Sequence, residues 1–219
     1  MTLKVKICGL TDARGLKAGA EAGADFVGLV FFRRSPRYVT LEQAAELVGL
    51  VPRGVQTVGL FVNPTDAELT STLEHLSLDM IQLHGAETPA RVDAVKKLTG
   101  LQVIKAVGVS TERDVVDAAG FEGHADWLLF DAKAPKDATR PGGNALAFDW
   151  PILKTYTGNT PWLLAGGLTP SNVAAAIRAC GARAVDVSSG VETRPGVKSP
   201  AKIRAFLQAV HTLGSVKAL

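Results

Sequence analysis

Cys8, Asp131 and two short stretches rich in glycine and serine are the parts of this 219-residue sequence best equipped for chemistry. A thiol ordinarily titrates near ~8.5, so Cys8 can take and return a proton where neighbouring cations favour its thiolate. Asp131 closes the apolar run Trp127-Leu128-Leu129-Phe130. Partial desolvation there raises a carboxyl's pKa and lets it keep a proton to donate. An acid and a base on well-separated segments suit proton transfer on two sides of one small substrate. Ala165-Gly166-Gly167-Leu168 and Val187-Ser188-Ser189-Gly190 supply backbone N–H groups and hydroxyls of the kind that cradle a phosphate. Each feature also has a plainer reading: Cys8 as a small buried hydrophobe, Asp131 as a helix cap or a partner of Lys133 or Lys105, the glycines as tight turns.

Those side chains need elements to hold them. Short β-branched runs recur at Leu3–Cys8, Phe26–Phe32, Val55–Val62, Leu78–Leu83, Leu101–Val107, Asp126–Asp131, Trp162–Ala165 and Arg183–Ser188. Between and after them, Asp12–Ala22, Leu41–Leu50, Asp66–Leu76, Pro89–Leu98, Glu112–Ala119, Ser171–Ala179 and Pro200–Val210 repeat apolar residues at helical intervals. Thr11-Asp12, Thr40 with Gln43, Pro64-Thr65, Thr88-Pro89 and Thr169-Pro170 are start signals, and Gly23, Gly100, Gly120 and Gly181 are stops. No linker or low-complexity segment divides the chain, so residues 1–219 read as one α/β domain of parallel βαβ units. Eight units of about 27 residues fit a (β/α)8 TIM barrel better than a doubly wound sheet, which at this length stops at five or six strands.

In a barrel the chemistry sits at the C-terminal ends of the strands, which is where Cys8, Asp131 and both glycine-rich stretches fall. The loops after the seventh and eighth strands are a frequent phosphate site in this architecture. Strand parity turns Lys4, Lys6 and Cys8 inward and Val5 and Ile7 outward, and it gives Trp127, Leu129 and Asp131 a common inward face. Asp186 shares the inward parity of Ser188, and strand 8 closes against strand 1, so Asp186 is expected to pair with Lys6. His84, beside Gly85 and with no evident orienting carboxylate, reads as a packing or hydrogen-bonding residue. Cys180 ends the helix that follows the seventh strand, toward the opposite face, which disfavours a disulfide with Cys8.

Composition narrows the function classes. Hydrophobic residues make up 47% and charged residues 21%, and 24 Lys+Arg against 21 Asp+Glu leave a net charge of +3. That is too little, and too dispersed, for nucleic acid as the main partner. Apolar runs fall far short of the ~20 residues that span a bilayer, and Met1–Leu10 has no signal-peptide pattern, so a cytoplasmic protein is expected. Two cysteines and no HExxH or CxxC spacing offer neither a disulfide framework nor a metal site, and no GxxxxGK[ST] or strand-linked GxGxxG accompanies them. No cofactor and no metal are expected, and a monomer is favoured over a homodimer.

Taken together the strand ends resemble the phosphoribosylanthranilate isomerases of tryptophan biosynthesis. The resemblance rests on Val5-Lys6-Ile7-Cys8-Gly9, Ser35-Pro36-Arg37-Tyr38, Gly59-Leu60-Phe61-Val62-Asn63, Gln82-Leu83-His84-Gly85, Lys105-Ala106-Val107, Leu129-Phe130-Asp131, Phe148-Asp149-Trp150, Gly166-Gly167-Leu168-Thr169-Pro170-Ser171-Asn172-Val173 and Asp186-Val187-Ser188-Ser189-Gly190-Val191-Glu192. It implies an Amadori rearrangement of an anionic aminoaldose phosphate into an aminoketose phosphate, the third pathway-specific step. By that resemblance Asp131 is the general acid, Cys8 the base and Arg37 the holder of the anthranilate carboxylate. Gly166, Gly167, Ser188, Ser189 and Gly190 hold the phosphate, and Asp186 either supports Lys6 or touches the substrate.

Two segments depart from the family pattern. Gly142-Gly143 is followed by Asn144-Ala145-Leu146-Ala147 where a later glycine is usual, which bears on a lid after the sixth strand. Lys198-Ser199 replaces the usual Lys-Asp, and Ser199 remains a competent N-cap. The competing readings are another phosphosugar barrel, such as an isomerase or epimerase or the indole-glycerol-phosphate synthase of the same pathway, or a non-catalytic binder. Weaker still is a nucleic-acid surface at Arg33, Arg34 and Arg37.

Overall fold

Periodicity and caps resolve into alternating strands and helices in a computed structural model, which describes residues 3–133 and 148–216. The strands are β1 (Lys4–Cys8), β2 (Phe26–Val30), β3 (Gln56–Phe61), β4 (Met80–Leu83), β5 (Gln102–Val109), β6 (Trp127–Ala132), β7 (Trp162–Leu164) and β8 (Ala184–Val187). All run parallel and in sequence order, and β8 returns to β1 to close the barrel. The helices are α1 (Ala13–Glu21), α2 (Leu41–Val48), α3 (Asp66–His75), α4 (Pro89–Thr99), α5 (Glu112–Asp117), α6 (Val173–Cys180) and α7 (Pro200–Val216). Thr40, Thr65 and Thr111 close capping boxes with Gln43, Glu68 and Asp114, which satisfies backbone donors that a helix start leaves free.

The differences from the sequence reading are local. Between β6 and β7 the described residues hold a 3-10 segment, Trp150–Thr155, and Gly120 lies inside another, Ala118–Phe121, where a stop is expected. Helix α6 begins at Val173 because Asn172 turns back to the loop before it: its side chain accepts from the Thr169 N–H at 2.7 Å and donates to the Gly167 carbonyl at 2.9 Å. A hairpin absent from the sequence reading follows β8, formed by β9 (Glu192–Arg194) and β10 (Val197–Lys198), with Pro195-Gly196 at its turn.

Alternation sorts the strand residues onto two faces. Val5 and Ile7 join Leu16, Ala18 and Phe206 in the layer between barrel and helices. Phe26, Val58, Met80, Ile104, Leu129, Leu163 and Ala184 fill the barrel itself. At the N-terminal ends a carboxylate clamps alternate strands: Asp25, Asp79 and Asp126 accept the N–H groups of Val5, Thr57 and Val103 at 2.8, 2.6 and 2.8 Å. One end of the barrel is thereby fixed by backbone bonds, and the polar interior side chains gather at the other.

Candidate active site

Lys6 and Cys8 follow one another on the inward face of β1. Register places Lys6 opposite Asp186 on β8, and the expected pair forms, with the fully buried Lys6 Nζ 2.8 Å from Asp186 Oδ1. A buried ammonium is tolerable only with such a partner. Burial opposes the charge on Lys6, yet Asp186 and Cys8 hold its pKa above the usual value. Burial likewise pushes the Cys8 thiol up; Lys6 and Lys198 pull it down and Asp186 adds to the rise. Gly28 on β2 leaves room for both groups, since a Cβ there would stand 2.9 Å from Cys8 Sγ and 3.2 Å from Lys6 Nζ.

Across the mouth, Asp131 ends β6 with its side chain mostly buried. Its Oδ1 accepts the Ala132 N–H at 2.9 Å, and His84 Nε2 lies 3.3 Å from Oδ2. The expectation that His84 lacks a carboxylate is therefore corrected: β4 and β6 flank β5, and their inward residues meet above it. Gln82 completes the row, its Nε2 2.8 Å from His84 Nδ1. The Gln82 contact fixes the His84 ring so that its Nε2 faces Asp131. The plainer partners are engaged elsewhere, Lys133 with Asp114 at 3.0 Å and Lys105 with Glu87 at 2.8 Å.

The two glycine-rich ends form one concavity. Gly166 and Gly167 have φ of +81° and +66°, a region that favours glycine. A Cβ on Gly166 would come within 2.6 Å of the Ala132 nitrogen and 3.2 Å of Asp131 Oδ1, so the β7 loop lies against the carboxyl itself. A Cβ on Gly190 would overlap the Leu168 carbonyl, which packs the β8 turn onto the β7 loop. Among the described residues the N–H groups of Gly167, Ser189 and Gly190 have no protein acceptor. Half-buried amides of this kind attract an anion. Ser188 is fixed from below, its carbonyl 2.9 Å and its hydroxyl 3.3 Å from Lys198 Nζ.

Arg37 reaches the same region from the β2 loop and is buried. Its Nε and Nη2 meet Glu192 Oε1 and Oε2 at 2.7 and 3.0 Å. Gly9 makes the crossing possible, because a Cβ there would overlap Arg37 Cδ. The structure thus brings Cys8, Asp131, Asp186, Arg37 and both glycine loops to one end of the barrel. Sequence reasoning passed over Gln82, Glu192 and Lys198 as site residues. The turn dipeptide Pro195-Gly196 was the available signal for the hairpin that carries the last two. The departure at Asn144-Ala145-Leu146-Ala147 lies outside the described residues.

A family model described as N-(5'phosphoribosyl)anthranilate (PRA) isomerase matches residues 5–209. The N-(5'-phosphoribosyl)anthranilate isomerase of Paracoccus denitrificans (strain Pd 1222) is 60% identical over 207 residues, 94% of this chain and 96% of its own. Phosphoribosyl anthranilate isomerase from Thermotoga maritima superposes with a TM-score of 0.86 at 37% identity, over 97% of this chain and 100% of that one. A phosphoribosyl anthranilate isomerase in complex with reduced 1-(o-carboxyphenylamino)-1-deoxyribulose 5-phosphate gives 0.83 at 34% identity, with the same coverage. Monomers generated from the dimeric Thermotoga maritima protein give 0.81 at 34%, again with that coverage.

Proposed function

The chain belongs to the N-(5'-phosphoribosyl)anthranilate isomerase family and is an enzyme of tryptophan biosynthesis, and from that premise we propose how its residues divide the chemistry. The reaction is an Amadori rearrangement that turns an N-glycoside of ribose 5-phosphate into an aminoketose, with no net gain or loss of atoms. Asp131 as general acid gives a proton to the ribose ring oxygen as the C1–O bond breaks, and the anilino nitrogen's lone pair makes the C1–N iminium. Cys8, as thiolate, then removes the C2 proton. The electron pair of that C–H bond forms the C1–C2 double bond of an enolamine, and tautomerisation to the ketone completes the step.

The environments described above support these roles. After the first transfer the Asp131 carboxylate is met by the Ala132 N–H, a donor that stabilises the charge left behind, and His84 Nε2 stands 3.3 Å from its other oxygen. Cys8 holds its proton more tightly than an ordinary thiol because burial disfavours the thiolate. Its deprotonation, aided by Lys6 and by the cationic iminium, is part of activation and gives the reaction a pH dependence. Arg37 takes the anthranilate carboxylate, its guanidinium plane fixed by Glu192. Gly166, Gly167, Ser188, Ser189 and Gly190 take the phosphate, and Asp186 acts by holding Lys6 beside the thiol.

One observation carries the assignment: the β7 loop that would bind phosphate packs directly on Asp131, so an anion there is within one small sugar of the acid. The binding-only alternative has no comparable support. The test is loss of the substrate's anthranilate fluorescence on mixing with purified protein. Turnover is expected in the parent and is expected to fall by at least ~10²-fold in Asp131→Asn and in Cys8→Ala. Undiminished turnover in either variant overturns the corresponding role. Residues 1–219 are taken as a single domain, monomeric and cytoplasmic; the family match across 5–209 supports the first. Among the described residues no helix is long and apolar enough to cross a membrane.

A further inference from the structure

We propose that Glu192 and Lys198 are positioning residues that join the carboxylate end of the site to its phosphate end, so that each end depends on a charge the substrate never touches. The inference rests on the substrate reading above and adds to it two residues from the β9–β10 hairpin.

One buried carboxylate serves both ends. Glu192 Oε1 accepts from Arg37 Nε at 2.7 Å and from Lys198 Nζ at 2.8 Å, while Oε2 accepts from Arg37 Nη2 at 3.0 Å. The two-point grip fixes the plane of the guanidinium, which a single bond would leave free to swivel. Lys198 passes the constraint on through its bond to the Ser188 carbonyl. The Ser188 C=O and the Ser189 N–H belong to one planar trans peptide and point in opposite directions. Pinning the oxygen on the Lys198 side therefore aims the N–H to the other side, where the half-buried Ser189 and Gly190 amides lack a protein acceptor among the described residues.

The hairpin is built to hold this arrangement. Register pairs Glu192 with Lys198 across it. At its turn Gly196 has φ of +83° and donates its N–H to Glu192 Oε2 at 3.3 Å, and any Cβ there would overlap the Pro36 carbonyl. The turn is thus packed on the residue that precedes Arg37. Thr11 Oγ1 bonds the Gly196 carbonyl at 3.0 Å and ties the turn to the loop after β1.

The two ends can be probed separately, with inorganic phosphate followed by 31P NMR and anthranilate followed by its fluorescence. Arg37→Ala is expected to weaken anthranilate alone. Lys198→Met and Glu192→Gln are expected to weaken both probes, phosphate by roughly tenfold in the former, the scale of one charge-assisted bond. In steady state both should raise KM by more than they lower kcat. A purely scaffolding role predicts a lower Tm with both affinities within twofold of the parent, and that result overturns the proposal. Should Lys198→Met not fold, the nearly isosteric Glu192→Gln decides alone: unchanged phosphate affinity overturns the coupling, and joint weakening supports it. Parent turnover, measured in parallel, separates the two readings, because a parent that binds both probes without turnover refutes the activity and leaves the coupling to the variants. A parent that binds neither probe overturns both.

Discussion

Cys8 and Lys6 are two residues apart on one inward strand face, and the thiol's burial together with Asp186 outweighs the help of Lys6 and Lys198. The sign of the pH dependence follows. With the folded thiol raised, kcat/KM should climb as pH passes upward through and beyond the ordinary thiol range of ~8.5, because the free enzyme must lose that proton. Stability moves oppositely: the folded state holds the proton that the unfolded chain releases, so Cys8 contributes stability below the unfolded pKa and loses it as pH rises toward the folded one. Urea denaturation of the parent and of Cys8→Ala at pH 7.5 and 9.5 should show the variant gaining relative stability at the higher pH, by up to about 1.4 kcal/mol per pH unit. A pH-independent difference would sink this reading. On the acid side, Gln82→Met removes the amide that holds His84 Nδ1 at 2.8 Å. The expected result is a fall in kcat of about tenfold at little change in KM, with the His84 ring 15N shifts displaced from those of the parent. His84 was legible as a strand-end residue. Its partner was not, because Asp131 lies 47 residues further on and only barrel closure with staggered strands brings the two within 3.3 Å.

At the scale of elements, the repeated caps and apolar spacing made nearly every strand and helix readable, since those signals act within a few residues. What escaped was set by tertiary contacts. Asn172 delays α6 to serve the Gly167 loop, and the β9–β10 hairpin is too short to show alternation. The Asp25, Asp79 and Asp126 clamps also depend on neighbours on the adjacent strand, Val5, Thr57 and Val103. They occupy the end of the barrel away from Cys8 and Asp131, where this architecture concentrates stability and not chemistry. Asp79→Ala leaves the Thr57 N–H and hydroxyl without the carboxylate that both now use. Chemical denaturation should register a loss of about 1–3 kcal/mol, while kcat/KM at 25 °C stays within twofold of the parent. Equal damage to both would mean that the two ends of the barrel are not separable.

For the molecule as a whole, closure decides both how the site is assembled and how the surface behaves. A closed ring of eight strands has no free edge to pair with another chain. Closure also explains why Lys6 and Asp186, 180 residues apart, could be matched from parity alone, whereas the Arg37–Glu192–Lys198 chain could not: it runs from the β2 loop to a hairpin too short for any periodicity to describe. On the outside, the large exposed hydrophobics among the described residues are Leu50, Leu98 and Val116, one each after α2, in α4 and in α5. Scattered singly, such residues do not make the contiguous apolar patch that a stable dimer buries. The Thermotoga maritima relative is dimeric, so similarity of fold does not itself decide the matter. Among the described residues the surface fits the proposed monomer, with the net charge of +3 adding weak repulsion between copies. Sedimentation equilibrium at micromolar concentration should give a single species near 23.0 kDa, unchanged by dilution and with kcat independent of protein concentration. A species of twice that mass that dissociates on dilution would show that a surface of low apolar content is nonetheless an interface.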